Sequence, residues 1–312
     1  MVALMPGGVR SINYITESAF GTPPATALVF GGTPRNIKPG YDPKKSFFIE
    51  PASRSYTRTA RGMIEVNPVI KAFAHIASGG YDWKNFWAVF GMGSTSGLTN
   101  TLGSFLMQTS KSWDGGSTKL YNFYHGCKMD KLTITADKPG QPLLFEADIK
   151  AQFITYDTNK VITQMYSQTV GADATDITTA YATWAGVLQF NLGGAGLADF
   201  HPKTWKVIVE NSLTPKPGIK VGYDTVKYPV ALGFDEGIRN IIFEATIAHE
   251  DETYVNAKIA DTAVTAITIP IDDETVTLSN GEFEANDLAD PDAESTSNEE
   301  KIRIRFKSLS IA

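Results

Sequence analysis

Two clusters in the sequence combine residue types that could support chemistry. The run His-Glu-Asp-Glu at residues 249–252 offers four potential metal ligands, but neighbouring side chains of a strand point to opposite faces and would not converge on one ion. His125 and Cys127 flank Gly126 and could pair as base and nucleophile. The sequence places no Asn or Asp to orient that histidine, so a nucleophilic site there has no support.

The glycine-rich run at residues 91–97 is the third candidate, because glycine loops can hold phosphate groups. Its glycines lack the spacing of a dinucleotide-binding loop, and no lysine follows as in a P-loop. A turn-rich loop is the better interpretation. We therefore expect no catalytic residue, no cofactor-binding residue and no metal ligand, and we predict that the protein needs no cofactor and is not an enzyme.

Composition sets the broad class. The 312 residues are 42% hydrophobic and 20% charged, enough apolar matter for a sizeable core, which excludes a wholly disordered chain. The net charge of −6 argues against a nucleic-acid binder that relies on a basic surface. One cysteine excludes a disulfide framework. Glycines interrupt the longest uncharged run, residues 85–110, so we expect a soluble protein without membrane insertion. The only apolar run among residues 1–10 is 2–5, too short for a secretory signal, so we expect no targeting segment.

Charge is divided unevenly along the chain. Residues 1–160 carry 17 basic and 11 acidic residues, whereas residues 161–312 carry 11 basic and 23 acidic residues. Eleven of those acids lie between Asp272 and Glu300. The segment can be a solvated acidic loop. Alternatively, opposite faces of the molecule carry opposite signs, as suits a subunit that stacks on copies of itself.

Alternating polar and apolar residues predict strands over most of the chain. Residues 131–137 and 145–153 alternate without a break around a Pro/Gly turn, which predicts a β-hairpin over residues 129–155. Three further strand pairs follow from similar patterns: one within residues 55–76, a second made of 205–210 and 238–250, and a third made of 275–278 and 302–307.

Short helical patterns at residues 81–90 and 253–262 each fall between the two strand pairs of one half. Both halves thus show the order pair, helix, pair, which suggests a duplication. We predict a mainly β protein with two domains, residues 1–160 and 161–312, with the boundary within about residues 156–200, a stretch whose structure the pattern does not define.

Three segments resemble the tail tube proteins (major tail proteins) of tailed bacterial viruses. Residues 17–24, ESAFGTPP, look like the amino-terminal E-x-x-F-G-T-x-P signature of that family. Residues 126–136, GCKMDKLTITA, look like its G-c-x-v-x-s-l-t-i-s-a strand, followed here as there by a Pro/Gly turn and an alternating strand. Residues 236–240, followed by the strand 241–248, are similar to another recurring segment of the family.

The resemblance implies a β-sandwich tail-tube fold with short flanking helices. In such proteins the hairpins of neighbouring subunits join into a continuous barrel, and the rings stack into the hollow tube that conducts viral DNA to the host. It implies a structural virion protein of the tail, whose partners are copies of itself, other tail proteins and, transiently and without sequence preference, the passing DNA. The alternative from a different class is a β-sandwich module that binds a ligand such as carbohydrate.

The size of the chain bears on the symmetry of a ring. Four hairpins supply eight strands, and three copies would form a cylinder roughly 50 Å wide, given strands about 4.8 Å apart and a tilt of about 40°. That cylinder leaves room for a DNA duplex. The count favours a trimer with pseudo-sixfold symmetry, whereas a hexamer would give the same count if only two hairpins per chain lined the bore.

Two sets of residues carry the predicted contacts of such a tube. The polar side chains of the first hairpin are expected to face the bore: Lys131, Thr133, Thr135, Asp137, Glu146, Asp148, Lys150 and Gln152. The segments 1–22, 93–115 and 287–300 are predicted to be flexible and to become ordered on assembly. In the second of them, apolar anchors are expected to contact a neighbouring ring: Leu98, Leu102, Phe105, Leu106 and Met107.

The apolar anchors have an alternative interpretation, and a further contact between rings is expected. The five apolar anchors could instead pack on their own domain. The basic amino-terminal half and the acidic segment 272–300 are expected to meet, at least in part, between stacked rings, where many weak ion pairs would fix polarity.

Overall fold

The structure is a computed structural model that describes residues 9–22, 28–42, 45–48, 58–61, 63–73, 75–76, 82–113, 118–157, 161–162, 168–169, 180–184, 186–221, 227–248, 257, 260–271, 273–284 and 299–312. Strands dominate it, so the prediction of a mainly β protein is confirmed.

Fifteen strands and one helical segment are described between residues 9 and 169. The strands are β1 Val9–Thr16, β2 Val29–Lys38, β3 Tyr41–Asp42, β4 Lys45–Phe48, β5 Arg58–Arg61, β6 Glu65–Val66, β7 Val69–Phe73, β8 Gly93–Ser94, β9 Gly97–Leu98, β10 Phe105–Trp113, β11 Thr118–Ala136, β12 Leu144–Lys150, β13 Phe153–Asp157, β14 Val161–Ile162 and β15 Gln168–Thr169. A π-helical turn, Lys84–Ala88, continues into the α-helix α1, Val89–Gly91, and the two together form the buried helix.

Nine more strands are described between residues 188 and 311. They are β16 Leu188–Leu192, β17 Ala198–Phe200, β18 Thr204–Glu210, β19 Thr214–Val221, β20 Lys227–Asp235, β21 Asn240–Ala248, β22 Val264–Ile271, β23 Glu274–Phe283 and β24 Glu299–Ile311. The predicted helix at residues 253–262 lies mostly outside the described residues.

One antiparallel sheet runs through both halves in the order β10-β1-β2-β7-β12-β11-β18-β21-β24-β23-β22-β16-β17. Strand β10 also pairs with the first part of the long strand β11, so β10, β1, β2, β7, β12 and β11 close into a six-stranded barrel. The second part of β11 pairs with β12 on one side and with β18 on the other. That β11–β18 ladder joins the two halves.

The two halves repeat the same order of pairing. In the first half, β1 pairs with β10, β10 with β11, β11 with β12, β12 with β7 and β7 with β2. In the second half, β16 pairs with β22, β22 with β23, β23 with β24, β24 with β21 and β21 with β18. Chain order is also preserved, and β17, which pairs with β16, leads within three residues into β18. This repeated topology is what a duplication would produce.

Alternation along these strands explains why the sheet forms. On the inner side, side chains that lie next to each other across six strands are buried: Ile70, Ala147, Leu132, Val209, Ile241 and Phe306 in one row, and Ala72, Phe145, Ile134, Val207, Phe243 and Ile304 in the next. The predicted hairpin of residues 129–155 is present as β11–β12. The pairs β18–β21 and β23–β24 are present as well.

The buried helix covers this inner side close to the position predicted for residues 81–90. Its aromatic side chains pack against the sheet, with the ring of Trp87 5.3 Å from that of Phe145 and the ring of Phe90 4.4 Å from that of Phe105. Gly91 is needed for the close approach, because a Cβ there would lie 2.6 Å from the side chain of Leu132. The apolar stripe therefore serves packing.

Two segments predicted to be flexible are ordered strands. Residues 1–22 include β1, and residues 93–115 include β8, β9 and β10, so the prediction is wrong for these parts. The sequence of β10 looks polar, yet Gln108, Thr109 and Ser110 are fully buried, and Asn13 donates a 2.9 Å hydrogen bond to Gln108. Most of residues 287–300 lies outside the described residues.

The proposed division into two domains stays a prediction. One sheet crosses it at the β11–β18 ladder, and one hydrophobic cluster contains buried residues from both halves.

Candidate functional site

The outward side of strands β7, β12, β11, β18, β21, β24 and β23 forms a broad surface, here called the polar face. Cross-strand register aligns its side chains in rows. One row runs Lys71, Glu146, Thr133, Ile208, Ile242, Arg305 and Glu282, and another runs Thr135, Lys206, Glu244, Arg303 and Glu284. Ile208 and Ile242 are buried at its centre, and charged side chains surround them.

Basic and acidic side chains of the polar face pair with each other across neighbouring strands. The nitrogen–oxygen distances are 2.6 to 2.9 Å in the pairs Lys71–Glu146, Lys131–Glu210, Lys206–Glu244, Arg303–Glu284, Arg305–Glu284 and Lys307–Glu282. Each of these cations therefore lies within ion-pair distance of a carboxylate of the same face, and Arg303 and Arg305 share Glu284. Opposite charges in adjacent cross-strand positions also support the ladder itself.

Asp148 lies in this face beside Glu146 and opposite Lys131. Partial burial raises the pKa of the Asp148 carboxyl, and the nearby negative charge of Glu146 raises it further, while Lys131 opposes the shift. The carboxyl thus takes up a proton more readily than an ordinary aspartate.

Seven of the eight residues expected to face a bore lie at least partly exposed on the outward side of the β11–β12 hairpin or its turn: Lys131, Thr133, Thr135, Asp137, Glu146, Asp148 and Lys150. Gln152 is only 2% exposed, so its prediction is wrong. The chain bends between β12 and β13, and Gln152 turns inward to donate a 2.8 Å hydrogen bond to the carbonyl of Ala231.

The five apolar anchors pack within their own chain. Phe105, Leu106 and Met107 are fully buried, Leu102 is nearly so, and the partly buried Leu98 packs against the main hydrophobic cluster. Strand β10 is a wall strand of the barrel, paired with β1 on one side and with β11 on the other, which explains this burial. The four buried side chains cannot reach a neighbouring ring, and the alternative expectation, packing on their own domain, describes them.

The motif segments that carried the family resemblance meet in space. The carboxylate of Glu17 is buried and accepts 2.8 Å hydrogen bonds from the backbone N–H groups of Gly21 and Gly126. Gly126 has φ +59°, and a Cβ there would lie 2.9 Å from the ring of Phe20. The sequence alone does not assign this role to Glu17, although the motifs that contain Glu17 and Gly126 were the available signal.

A second feature that sequence analysis missed is the hairpin arm of residues 211–239, formed by β19 and β20. This arm packs against the first half of the chain. Glu236 forms a 2.6 Å ion pair with Lys128, and the backbone N–H of Leu213 donates a 2.6 Å hydrogen bond to Asp130. Leu213 and Phe234 share a small apolar cluster with Leu102 and Phe20. The contacts thus fix the second half onto the first.

The described candidates for catalysis, His125 and Cys127, serve packing. His125 is buried, stacks on Phe153 at 4.3 Å and forms a 3.0 Å hydrogen bond with Thr155. Cys127 is also buried, and burial raises the pKa of its thiol well above the ordinary range, which disfavours the reactive thiolate. Residues 249–252 lie outside the described residues.

Across the described part of the chain, no group of three or more His, Cys, Asp or Glu side chains is arranged to hold a metal ion. No helix within that part is long and apolar enough to cross a membrane.

No protein-family model matches the chain, and no curated protein sequence matches it. Among solved structures, the chain is similar to a cryo-EM structure of the anti-feeding prophage cap, described as the cap that terminates the AFP tube. The likeness covers 51% of this chain and 95% of the cap chain, with 8% sequence identity and a TM-score of 0.33. A likeness at this level assigns neither a family nor a function.

Proposed function

We propose that this protein is a tail tube subunit of a tailed virus, a structural rather than enzymatic protein that forms stacked rings around a channel for viral DNA. The observation that carries the proposal is the eight-stranded sheet β2-β7-β12-β11-β18-β21-β24-β23, built from two four-stranded units of the same topology joined edge to edge. Other tail proteins would be its partners in the virion.

The junction inside the chain is a template for a junction between chains. Strand β18 pairs with β21 on one side and with β11 on the other. Its counterpart β2 pairs with β7 through residues 33–38, and no described strand pairs with the other side of that segment. An open edge of this kind favours pairing with another chain. Strand β23, the counterpart of β11, would supply the partner, and head-to-tail repetition would close a cyclic ring.

The strand count favours three copies. Eight strands per chain, each about 4.8 Å from the next, give a cylinder roughly 50 Å wide for three chains tilted by about 40°, and roughly twice that for six. A trimer with pseudo-sixfold symmetry is therefore the proposed ring. A hexamer would fit the narrower bore only if one four-stranded unit per chain lined it.

The polar face suits the wall of a DNA channel. Each fixed cation that contacts a phosphate adds an attractive, salt-dependent interaction that would retain the DNA. On this face the cations of six ion pairs are already engaged by carboxylates at 2.6 to 2.9 Å. A bore lined in this way would let the duplex slide without binding it.

Negative-stain microscopy and mass photometry of the purified protein test the proposal. We expect rings of three subunits, or tubes made by stacking them, with a central channel about as wide as the strand count requires. A chain that remains a monomer at concentrations up to about a hundred micromolar, where weak protein contacts form readily, would contradict the proposal.

A further inference from the structure

The sheet joins its two four-stranded units edge to edge. Among the described strands, one ladder makes this junction: β11 of the first unit, β2-β7-β12-β11, pairs with β18 of the second unit, β18-β21-β24-β23. The twist between neighbouring strands of a sheet ranges from about −10° to about −35°. A single ladder by itself therefore fixes the angle between the two units only loosely.

The base of the hairpin arm of residues 211–239, which belongs to the second half, also closes on the buried helix of the first half. Asn211 is only 2% exposed and donates a 3.0 Å hydrogen bond to the carbonyl of Gly91. Arg239 donates a 2.6 Å hydrogen bond to the Oδ1 of Asn211 and a 3.3 Å hydrogen bond to the carbonyl of Met92. The last carbonyls of a helix lack partners within the helix. Here the second half supplies those partners.

Other contacts reach the second unit at a distance from the ladder. Strand β9 pairs with β24, where Gly97 lies opposite Ser310. The ammonium of Lys84, in the buried helix, forms an ion pair with Glu274 of β23. Strands β24 and β23 are the third and fourth strands of the second unit. At about 4.8 Å per strand, these contacts lie about 10–14 Å beyond β18.

The contact between β9 and β24 is close. Gly97 has φ +132°, and a Cβ there would lie 2.6 Å from the carbonyl oxygen of Leu309. The next residue, Leu98, packs against the main hydrophobic cluster, to which Leu309 and Ile311 belong. Because these contacts lie away from the β11–β18 ladder, they resist rotation of one unit about that ladder.

We propose that the buried helix and β9, together with Asn211, Arg239 and Glu274, form a clasp that fixes the angle between the two units and thereby the number of subunits that closes a ring. The inference rests on the proposed function, in which three chains contribute six units to one ring. Each junction must then turn the sheet by about one-sixth of a full circle for the ring to close. Three of those six junctions lie inside a chain, where the clasp holds the angle.

A substitution that displaces β9 tests the clasp. Gly97→Ala places a methyl group against β24, and the fraction of rings that have the parent size should fall at least twofold by mass photometry, in favour of other sizes or open arcs. Gly140→Ala is the matched control. Gly140 also has a positive φ, +72°, but nothing lies within 4 Å of a Cβ there, so the substitution strains the backbone without displacing a strand. It should keep the parent distribution of sizes.

A second variant loosens the clasp without backbone strain. Arg239→Gln combined with Glu274→Gln removes the guanidinium and one charge of the ion pair, and should lower the fraction of parent-sized rings in the same direction as Gly97→Ala. Lys71→Gln combined with Glu146→Gln is its control, because that 2.6 Å ion pair lies within the first unit. Circular dichroism identical to that of the parent shows that each variant is folded.

Label distances measure the angle independently of assembly. Spin labels on cysteines introduced by Lys71→Cys and Glu282→Cys lie in one row of the polar face, six strand spacings or about 29 Å apart along the sheet. The buried Cys127 should not react. Pulsed electron spin resonance on the monomeric fraction of the full chain should give a narrow distance distribution. Adding Gly97→Ala should broaden it at least twofold, and adding Gly140→Ala should leave it unchanged.

Two results would overturn the inference while the proposed function survives. Unchanged distances and ring sizes in both clasp variants would show that the ladder alone sets the angle. Broader distances with unchanged ring sizes would show that contacts between subunits determine the number of copies. If the unsubstituted chain forms no ring, the proposed function fails and the ring-size part of the inference fails with it, whereas the label distances still decide whether the clasp holds the two units.

Discussion

The two sides of the eight-stranded sheet differ in what their side chains stabilise. On the inner side, rows of apolar residues such as Leu132 and Phe145 are fully buried beneath the buried helix. On the polar face, the alternate residues of the same strands form ion pairs with residues of neighbouring strands. In one such pair, Lys131 and Glu210 are each about one-third exposed. Burial of apolar area stabilises the fold strongly, whereas exposed ion pairs contribute little. Residues of the polar face can therefore vary with function at little cost in stability.

The largest difference should appear between two neighbouring residues of β11 that point to opposite sides. Leu132→Ala would leave a cavity in the core and should lower the free energy of unfolding by about 2–5 kcal/mol. Thr133→Ala, on the polar face, should change it by less than about 0.5 kcal/mol. Urea unfolding followed by circular dichroism measures both. Equal losses for the two variants would contradict the assigned inner and outer sides.

A buried carboxylate should contribute more to the free energy of unfolding than an exposed one. Glu17→Ala would leave the N–H groups of Gly21 and Gly126 without their acceptor and should lower the free energy of unfolding by about 1–3 kcal/mol. Glu146→Ala, which removes an acid of the polar face, is the matched control and should cost under about 1 kcal/mol. The same urea titration compares them. A Glu17 variant as stable as the Glu146 variant would remove the structural role assigned to this motif.

The sequence predicted those elements whose two sides differ in polarity. Strict alternation in residues 131–137 and 145–153 was enough to assign the β11–β12 hairpin and its polar side. Strand β10 was not predicted because both of its sides are buried: Phe105 packs on the buried helix, and on the opposite side the polar Gln108 accepts a hydrogen bond from Asn13.

Features that depend on distant residues were not predictable from local patterns. The bend that turns Gln152 inward is fixed by the hairpin arm of residues 211–239, through the carbonyl of Ala231, which lies 79 residues away. The docking of that arm through Glu236 likewise depends on a residue of β11. Alternation describes which side of one strand is apolar, and it carries no information about which hairpin covers its end.

Within the polar face, the strength of one ion pair can be measured directly. A double-mutant cycle with Lys131→Ala and Glu210→Ala should give a coupling of about 0.2–1 kcal/mol at low salt, because both side chains are partly exposed. In 1 M salt the screening length falls to about 3 Å, and the coupling should shrink toward zero. Urea unfolding at the two salt concentrations provides the numbers. A coupling that persists unchanged in high salt would show that the pair is desolvated.

The smallest expected effect concerns Asp148, the acid of the polar face whose pKa is raised by burial and by Glu146 above its ordinary value of 3.8. In the pH range between that ordinary value and the raised one, the folded chain binds more protons at this site than the unfolded chain does. The contribution of Asp148 to stability is therefore greatest at low pH and is lost as the pH rises through this range.

Asp148→Asn removes this titration while keeping the shape of the side chain. Urea unfolding of both proteins across the acidic pH range should show the variant gaining stability relative to the parent as the pH rises through that window, and a constant difference above it. The gain should be small because the carboxyl is partly solvated and Lys131 offsets part of the cost of ionisation. A relative loss of stability for Asp148→Asn with rising pH would mean that Lys131 outweighs burial, and that Asp148 behaves as one more paired acid of the polar face.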